Sequence, residues 1–138
     1  MVRLKNYEDS DFREIESLLK ETGLYRLPFD RNEKLKKQIN HDPESIIVAK
    51  DGGAVVGCIF ILYNPWTSFI YHLGVLSSYN GQGIATKLMN KAEKILEERG
   101  VERPTLFVEE DNEELLTFYK NKGWEVEGKV FDLEKQID

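Results

Sequence analysis

The stretch between residues 68 and 100 constrains the fold most, because it joins a predicted strand to the clearest predicted helix through a turn with two glycines. Residues 68–76 form an apolar run typical of a strand, and residues 83–99 carry apolar side chains at helical spacing. Gly81 and Gly83 let the backbone of the turn bend sharply and approach a ligand without a clash from Cβ atoms. The start of the helix adds unpaired N–H groups and a partial positive charge. The stretch therefore predicts an anion site suited to a phosphate or pyrophosphate.

Taken alone, this turn is as typical of an ordinary tight connection between a strand and a helix as it is of an anion site. Two nucleotide-binding patterns also fit it poorly. The Walker loop needs Gly-Lys followed by Ser or Thr, whereas Ile84 and Ala85 follow Gly83. The dinucleotide fingerprint needs a third small residue where Thr86 stands, and it belongs to an early βαβ unit. Here three or four predicted strands precede the turn, so the ligand stays open at this point.

The rest of the chain alternates between short strand-like patterns and helical patterns, in the order β-α-α-β-β-β-α-β-α-β-β. We expect an α/β fold with a mixed, mostly antiparallel sheet of about seven strands and about four helices on its faces. A length of 138 residues suits a single domain, spanning residues 1–138, with its own core. The local signals are a hairpin at 51–53, a capping box of Asp30 with Glu33 for the second helix, and a closing hairpin of strands at 124–126 and 129–133.

The composition limits the classes of function. The chain has 19 basic and 25 acidic side chains, a net charge of −6, which argues against a nucleic-acid partner and for a cationic one. Its single cysteine excludes an intrachain disulfide, and with two histidines it leaves few soft ligands, so we expect no metal site. We find no run of ~20 apolar residues and no apolar start, so we expect no membrane partner and a cytoplasmic protein.

A second segment whose residues could bind a ligand or take part in catalysis lies between residues 106 and 124. It reads L-x-V-x-x-x-N over residues 106–112 and Y-x-x-x-G-W over residues 119–124. Asn112 and Tyr119 are about two helical turns apart, so both lie on one face of a predicted helix. An asparagine at a helix start can cap the helix and still contact a ligand. A tyrosine near a helix end is also typical of a core residue whose hydroxyl lies at the rim.

In this order, the two segments resemble the GNAT family of N-acetyltransferases. That family carries R/Q-x-x-G-x-G/A between its fourth strand and third helix, and this sequence reads N-G-Q-G-I-A over residues 80–85. The family's later L-x-V-x-x-x-N and L-Y-x-x-x-G-F patterns are matched over residues 106–112 and 118–124, and the element order also agrees. Two departures from these patterns matter. Asn80 replaces Arg or Gln and removes a longer side chain beside the phosphates, and Trp124 replaces Phe.

The resemblance implies binding of acetyl-coenzyme A (acetyl-CoA) in a sheet whose fourth and fifth strands splay apart. Backbone N–H groups of the glycine turn would hold the pyrophosphate. Main-chain groups around Leu73 and Val75 would pair with the pantetheine arm, and the N–H near Val75 would stabilise the developing oxyanion. Asn112 would contact the arm, and Tyr119 would protonate the leaving thiolate. The implied cofactor contacts are Leu73, Val75, Asn80, Gly81, Gln82, Gly83, Ile84, Ala85, Asn112 and Tyr119.

The resemblance also implies that an amine attacks the thioester directly in a ternary complex. Protein amino termini, lysines and small amines stay open as the acceptor. Candidate acceptor contacts are Tyr25 and Phe29 in an early loop, together with Glu109 and Glu110, whose charge would attract a cationic amine. For Glu109 and Glu110, a solvated charge cluster is the alternative.

The base that takes the amine's proton is also open. His72, Glu109, Glu110 or a water chain could take it, and histidine is the residue type whose unperturbed pKa lies near neutrality. Strand alternation predicts that His72 shares a face with Ile70 and Gly74, opposite Tyr71, Leu73 and Val75. An ordinary strand histidine is the alternative for His72.

Two other functions stay open beside the enzyme. The chain could be a module that binds or senses acyl-CoA without chemistry, or a structural interaction domain on the same fold. We expect a monomer or a homodimer.

Overall fold

The computed structural model describes all 138 residues, and the chain divides into two compact units, residues 1–106 and residues 107–138. Short 3-10 helices at Asp9–Asp11 and Ser77–Tyr79 lie within the first unit. The helices are all too short or too polar to cross a membrane. The first unit contains β1 (Val2–Asn6), α1 (Phe12–Glu21), α2 (Asn32–His41), β2 (Ile46–Asp51), β3 (Ala54–Leu62), β4 (Phe69–Val75) and α3 (Ile84–Glu98), and the second contains α4 (Glu113–Asn121).

The four strands form one antiparallel sheet in the order β1-β2-β3-β4. The hairpin predicted at residues 51–53 is confirmed, because Asp51 pairs with Ala54 across the turn between β2 and β3. These two central strands are rich in Val and Ile and almost continuously buried, which is the pattern of strands covered on both faces. The expected α/β class, antiparallel sheet and four helices are confirmed.

The expectation of about seven strands is wrong, because the structure has four. Thr105 forms only an isolated parallel bridge with Phe69, held by hydrogen bonds of 2.9 Å from Ile70 N–H to Thr105 O and from Thr105 N–H to Ser68 O. Residues 124–133 form no strand, and every residue from 125 onward is exposed. A two-stranded hairpin that buries no apolar face is marginally stable, and Phe131 is 95% exposed.

Helices α1 and α3 cover opposite faces of the sheet. A Cβ atom added at Gly57 would lie 3.2 Å from side-chain carbons of Ile84 and Leu88, which belong to α3. A Cβ atom added at Gly74 would lie 3.4 Å from Leu18 of α1. Gly74 pairs with Cys58 of β3, which directly follows Gly57. Because successive residues of a strand face opposite sides of the sheet, Gly57 and Gly74 also face opposite sides. Each glycine therefore brings one helix close to the strands that carry the candidate site.

We expect Gly57→Ala to lower the free energy of unfolding by about 1–3 kcal/mol, because the added methyl group overpacks the contact with α3. The carbonyl oxygen of Gly74, at 3.3 Å from the added carbon, is backbone and cannot rotate away. Gly53→Ala is the matched control, because a Cβ atom there has no neighbour within 4 Å. Chemical denaturation of both variants checks the prediction, and equal stability of the two would contradict it.

Candidate functional site

The glycine turn leads from the end of β4 into α3, as the sequence predicts. Gly81 and Gly83 have φ angles of +81° and +76°, in the left-handed region that favours glycine. Gly83 is the N-cap residue of α3, and no side chain caps the helix there. The first N–H groups of α3 therefore have no intrahelical acceptor and remain donors for an anion.

The turn also leaves room for a ligand. A Cβ atom added at Gly81 or Gly83 would meet no other atom within 4 Å. Asn80 and Gln82 are exposed beside them, whereas Ile84 is buried and anchors the helix to the sheet. The predicted cofactor contacts in this turn therefore face solvent, at the start of a helix that is anchored to the sheet.

A β-bulge interrupts β4 in the middle of the predicted thioester region. Cys58 pairs with Gly74 and Phe60 pairs with Tyr71, so β4 has one residue more than β3 between these pairs. His72 lies in the bulge with a φ of +49°, and it is the only residue other than glycine with a positive φ. A bulky side chain in this conformation is uncommon and strained.

The bulge changes the face assignments that strand alternation predicts. Gly74 and Tyr71 pair with β3 residues on the α1 side of the sheet, and the His72 ring contacts the Phe60 ring edge-on at 4.9 Å. Ile70 pairs with Ile61 on the other face. The expected sharing of a face by His72 and Gly74 is confirmed, whereas the placement of Ile70 with them and of Tyr71 opposite them is wrong.

His72 is held by a carboxylate that the sequence did not single out for chemistry. Its Nε2 lies 2.9 Å from Oδ2 and 3.1 Å from Oδ1 of Asp30, a residue that is only 2% exposed. Oδ2 of Asp30 also accepts the Arg26 N–H at 2.8 Å. The predicted capping role of Asp30 is wrong, because α2 begins at Asn32 with no side-chain cap. An aspartate just before a helix is the ordinary capping signal, so nothing local in the sequence pointed to His72.

Cys58 lies directly behind the bulge. Its thiol donates a hydrogen bond of 3.3 Å to the His72 carbonyl oxygen, and the side chain is fully buried. Burial raises the pKa of the Cys58 thiol to about 12. The sulfur is therefore a protonated packing group that supports the bulge, not a nucleophile.

The predicted acceptor contacts of the first unit lie in the loop between α1 and α2. The Tyr25 hydroxyl donates to Glu16 Oε2 at 3.4 Å, and Phe29 is exposed with the Arg26 guanidinium 5.4 Å from its ring centre. Asp30 ends the same loop, so its contact with His72 ties this loop to β4.

The second unit carries the remaining predicted site residues. The side chain of Asn112 caps α4 by accepting the Leu115 N–H at 3.1 Å, which confirms the predicted cap. Tyr119 is 5% exposed, and its ring packs edge-on against Phe118 and Trp124. Burial raises the pKa of the Tyr119 hydroxyl to about 12. Glu109 and Glu110 are exposed, and Glu110 lies 3.5 Å from the Lys129 ammonium.

Comparison with known proteins gives one consistent family. The model of the acetyltransferase (GNAT) family matches residues 8–124. An acetyltransferase of Sodalis glossinidius is 32% identical over 136 residues, which cover 99% of this chain and 96% of that protein. An acetyltransferase of Yersinia enterocolitica is 30% identical over 129 residues, which cover 94% of this chain and 92% of that protein.

Solved structures share the fold. The N-acetyltransferase PaiA of Thermoplasma acidophilum, in complex with coenzyme A, has a TM-score of 0.83 at 19% identity and covers 94% of this chain and 93% of its own. Ard1 of Thermoplasma volcanium has a TM-score of 0.80 at 22% identity and covers 92% of this chain and 84% of its own.

Proposed function

Since the chain belongs to the acetyltransferase (GNAT) family, we propose that it transfers an acetyl group from acetyl-CoA to an amine in a ternary complex, within a single domain of residues 1–138. The observation that carries the proposal is the glycine turn. Two left-handed glycines with open space around them lead directly into an uncapped helix start. This arrangement fits a pyrophosphate, because backbone donors and the helix dipole both favour an anion there.

We assign the donor contacts along β4 and the turn. Backbone N–H groups from Gln82 to Ala85 hold the pyrophosphate, while Gly81 and Gly83 allow it to approach the backbone. Main-chain groups of Leu73 and Val75 pair with the pantetheine arm, and Asn112 contacts it. The bridge between β4 and Thr105 involves only the first residues of β4, which supports a cleft beside its later residues. Asn80 is shorter than the family's Arg or Gln, so we expect weaker rather than absent binding.

The chemistry follows from these positions. The neutral amine attacks the thioester carbon, a C–N bond forms, and the C–S bond breaks as coenzyme A leaves. His72 takes the proton of the attacking nitrogen, because it lies on β4 beside the thioester contacts and imidazole is the side chain that most often serves as a general base. The backbone N–H near Val75 stabilises negative charge that develops on the thioester oxygen.

Tyr119 donates to the leaving sulfur. Its hydroxyl stays protonated at neutral pH, because burial raises its pKa to about 12. A free thiol has a pKa of about 8.5, so complete transfer from the phenol to a thiolate is uphill by roughly 5 kcal/mol. We therefore assign Tyr119 a strong hydrogen bond to the departing sulfur, in which the phenol keeps its proton. The thiolate of the released coenzyme A then equilibrates with protons from solvent.

The acceptor site takes a cationic amine in this proposal. Tyr25 and Phe29 supply aromatic surface from the loop between α1 and α2, and Glu109 and Glu110 supply negative charge. The net charge of −6 also favours a cationic acceptor over long range. Acceptor affinity that does not change with ionic strength would contradict this electrostatic part of the proposal.

The direct test incubates the protein with acetyl-CoA and a panel of amines that includes peptides, polyamines and amino sugars. We expect free thiol to appear only when both the protein and an accepted amine are present. Calorimetry with acetyl-CoA in the absence of an amine separates binding from turnover. Binding without turnover on any amine would favour an acyl-CoA-binding module, and absence of binding would contradict the proposed function altogether.

A further inference from the structure

We propose that Asp30 is a positioning residue that fixes the protonation of the His72 ring, so that Nδ1 is the atom that accepts the proton of the acceptor amine. This inference rests on the proposed transferase function, and it adds a residue and a specific atom to it. Asp30 lies outside both segments that carry the family resemblance.

Nε2 is the ring nitrogen of His72 that faces Asp30. Both carboxylate oxygens of Asp30 lie within 3.1 Å of His72 Nε2, and the carboxylate is almost completely buried. An ionised carboxylate only accepts hydrogen bonds, and Oδ2 already accepts the Arg26 N–H. Nε2 must therefore be the donor, and it carries the ring proton when His72 is neutral.

Nδ1 is the ring nitrogen of His72 that does not contact Asp30. In a neutral imidazole with its proton on Nε2, Nδ1 holds the free lone pair. Nδ1 has no hydrogen-bond partner, and it is not one of the two buried side-chain atoms left unpaired, which are Tyr7 Oη and Asn32 Oδ1. Nδ1 therefore reaches solvent and its lone pair is available, whereas Nε2 is hydrogen-bonded to Asp30.

The contacts around His72 hold both its ring and its main chain. Asp30 holds Nε2 and the Phe60 ring packs edge-on against the imidazole, while the Cys58 thiol donates to the His72 carbonyl oxygen. The strained φ of +49° at His72 is retained within this set of contacts. Strain kept by surrounding contacts in this way is characteristic of sites where a side chain must point in one direction.

The proton of the acceptor amine passes through the His72 ring to solvent. When the amine nitrogen bonds to the acetyl carbon, its proton moves to Nδ1, and the ring becomes an imidazolium. The carboxylate of Asp30, whose Oδ2 lies 2.9 Å from Nε2, stabilises that charge without taking the proton. The ring returns to neutrality when Nδ1 releases its proton to solvent.

The first experiment measures the tautomer directly by NMR of ¹⁵N-labelled protein, at a pH where the spectra show both imidazoles to be neutral. The chain has two histidines, and exposed His41 serves as the internal reference. We expect wild-type His72 to carry its proton on Nε2. Asp30→Asn presents an amide with one oxygen to two donors, so we expect the population with Nε2–H to fall. Wild-type protein with the proton on Nδ1 would overturn the inference, and this result needs no variant to fold.

The second experiment is a double-variant cycle with Asp30→Asn, His72→Gln and the pair, after thermal unfolding shows that each is folded. We expect kcat to fall about 10-fold in Asp30→Asn and about 100-fold in His72→Gln, with unchanged calorimetric affinity for acetyl-CoA. The pair should be no slower than His72→Gln, because Asp30 acts through His72. Independent, multiplying losses would overturn the positioning role.

The two proposals fail differently. An active wild-type enzyme whose His72 carries its proton on Nδ1 would overturn the role of Asp30 and leave the transferase function standing. A wild-type chain with the expected tautomer but no amine-dependent thiol release would overturn the proposed function and, with it, the catalytic use of Nδ1.

Discussion

Replacing Tyr119 with phenylalanine should lower kcat by 100-fold or more while changing the affinity for acetyl-CoA by less than about twofold. A donor placed at a leaving group contributes about 10²–10⁴ in rate, which corresponds to a barrier change of about 2.7 kcal/mol at the lower limit. The variant removes one hydroxyl and keeps the ring that packs against Phe118 and Trp124. Since the Tyr119 hydroxyl has no protein partner among these contacts, its loss leaves no buried group unpaired.

The pKa of Tyr119 adds a second expected result. Because burial raises it to about 12, the hydroxyl stays protonated well above the usual value of 10 for tyrosine. Ionisation of Tyr119 should therefore produce no loss of kcat between pH 7 and pH 10. The stability that this raised pKa contributes is fully present below pH 10 and is lost as the pH rises through 12.

Tyr63→Phe is the control, since it deletes a hydroxyl from a second tyrosine, which is partly buried and whose ring lies against the Arg99 guanidinium. Initial rates of thiol release at saturating acetyl-CoA give kcat, and calorimetry gives the affinity. If Tyr119→Phe and Tyr63→Phe were equally active, the donor role of Tyr119 would be excluded. A parallel loss of affinity and rate would instead indicate a packing role.

The sequence predicted those parts of the fold and site whose signals are local. The glycine turn, α3 and the Asn112 cap each depend on residues within a few positions of one another, and the structure has all three. The hairpin at residues 51–53 belongs to the same class, because a turn sequence and two flanking apolar runs specify it.

The features that the sequence did not predict depend on contacts between distant segments. The partners Asp30 and His72 are 42 residues apart in the sequence. The residues around Asp30 are also typical of a helix cap, so nothing in the sequence was a reason to pair it with His72. The bulge at His72 arises from the pairing register of β4 with β3, which periodicity cannot specify. The strands predicted at residues 124–133 followed a real alternation of residue types, but alternation gives a stable strand only where one face is buried.

The double variant Gly81→Val/Gly83→Val should weaken acetyl-CoA binding by about 30-fold to 1,000-fold. Both positions have φ near +80°, where each L-residue costs about 1–2 kcal/mol, and a β-branched side chain is strained most. The backbone strain of the two positions totals about 2–4 kcal/mol, and the turn can relieve it only by rotating its backbone. That rotation redirects the N–H groups at the start of α3. The added side chains also occupy the open space through which a phosphate would approach.

The control must carry the same backbone strain away from the turn, and Gly52→Val/Gly100→Val does so. These glycines have φ angles of +64° and +82°, and a Cβ atom at either position meets nothing within 4 Å. We expect both double variants to lose similar stability in denaturation, so calorimetry is run at a temperature where both are folded. Only the variant in the glycine turn should lose affinity for acetyl-CoA. Equal losses of affinity in the two would mean that general destabilisation, rather than the backbone of the turn, sets the binding.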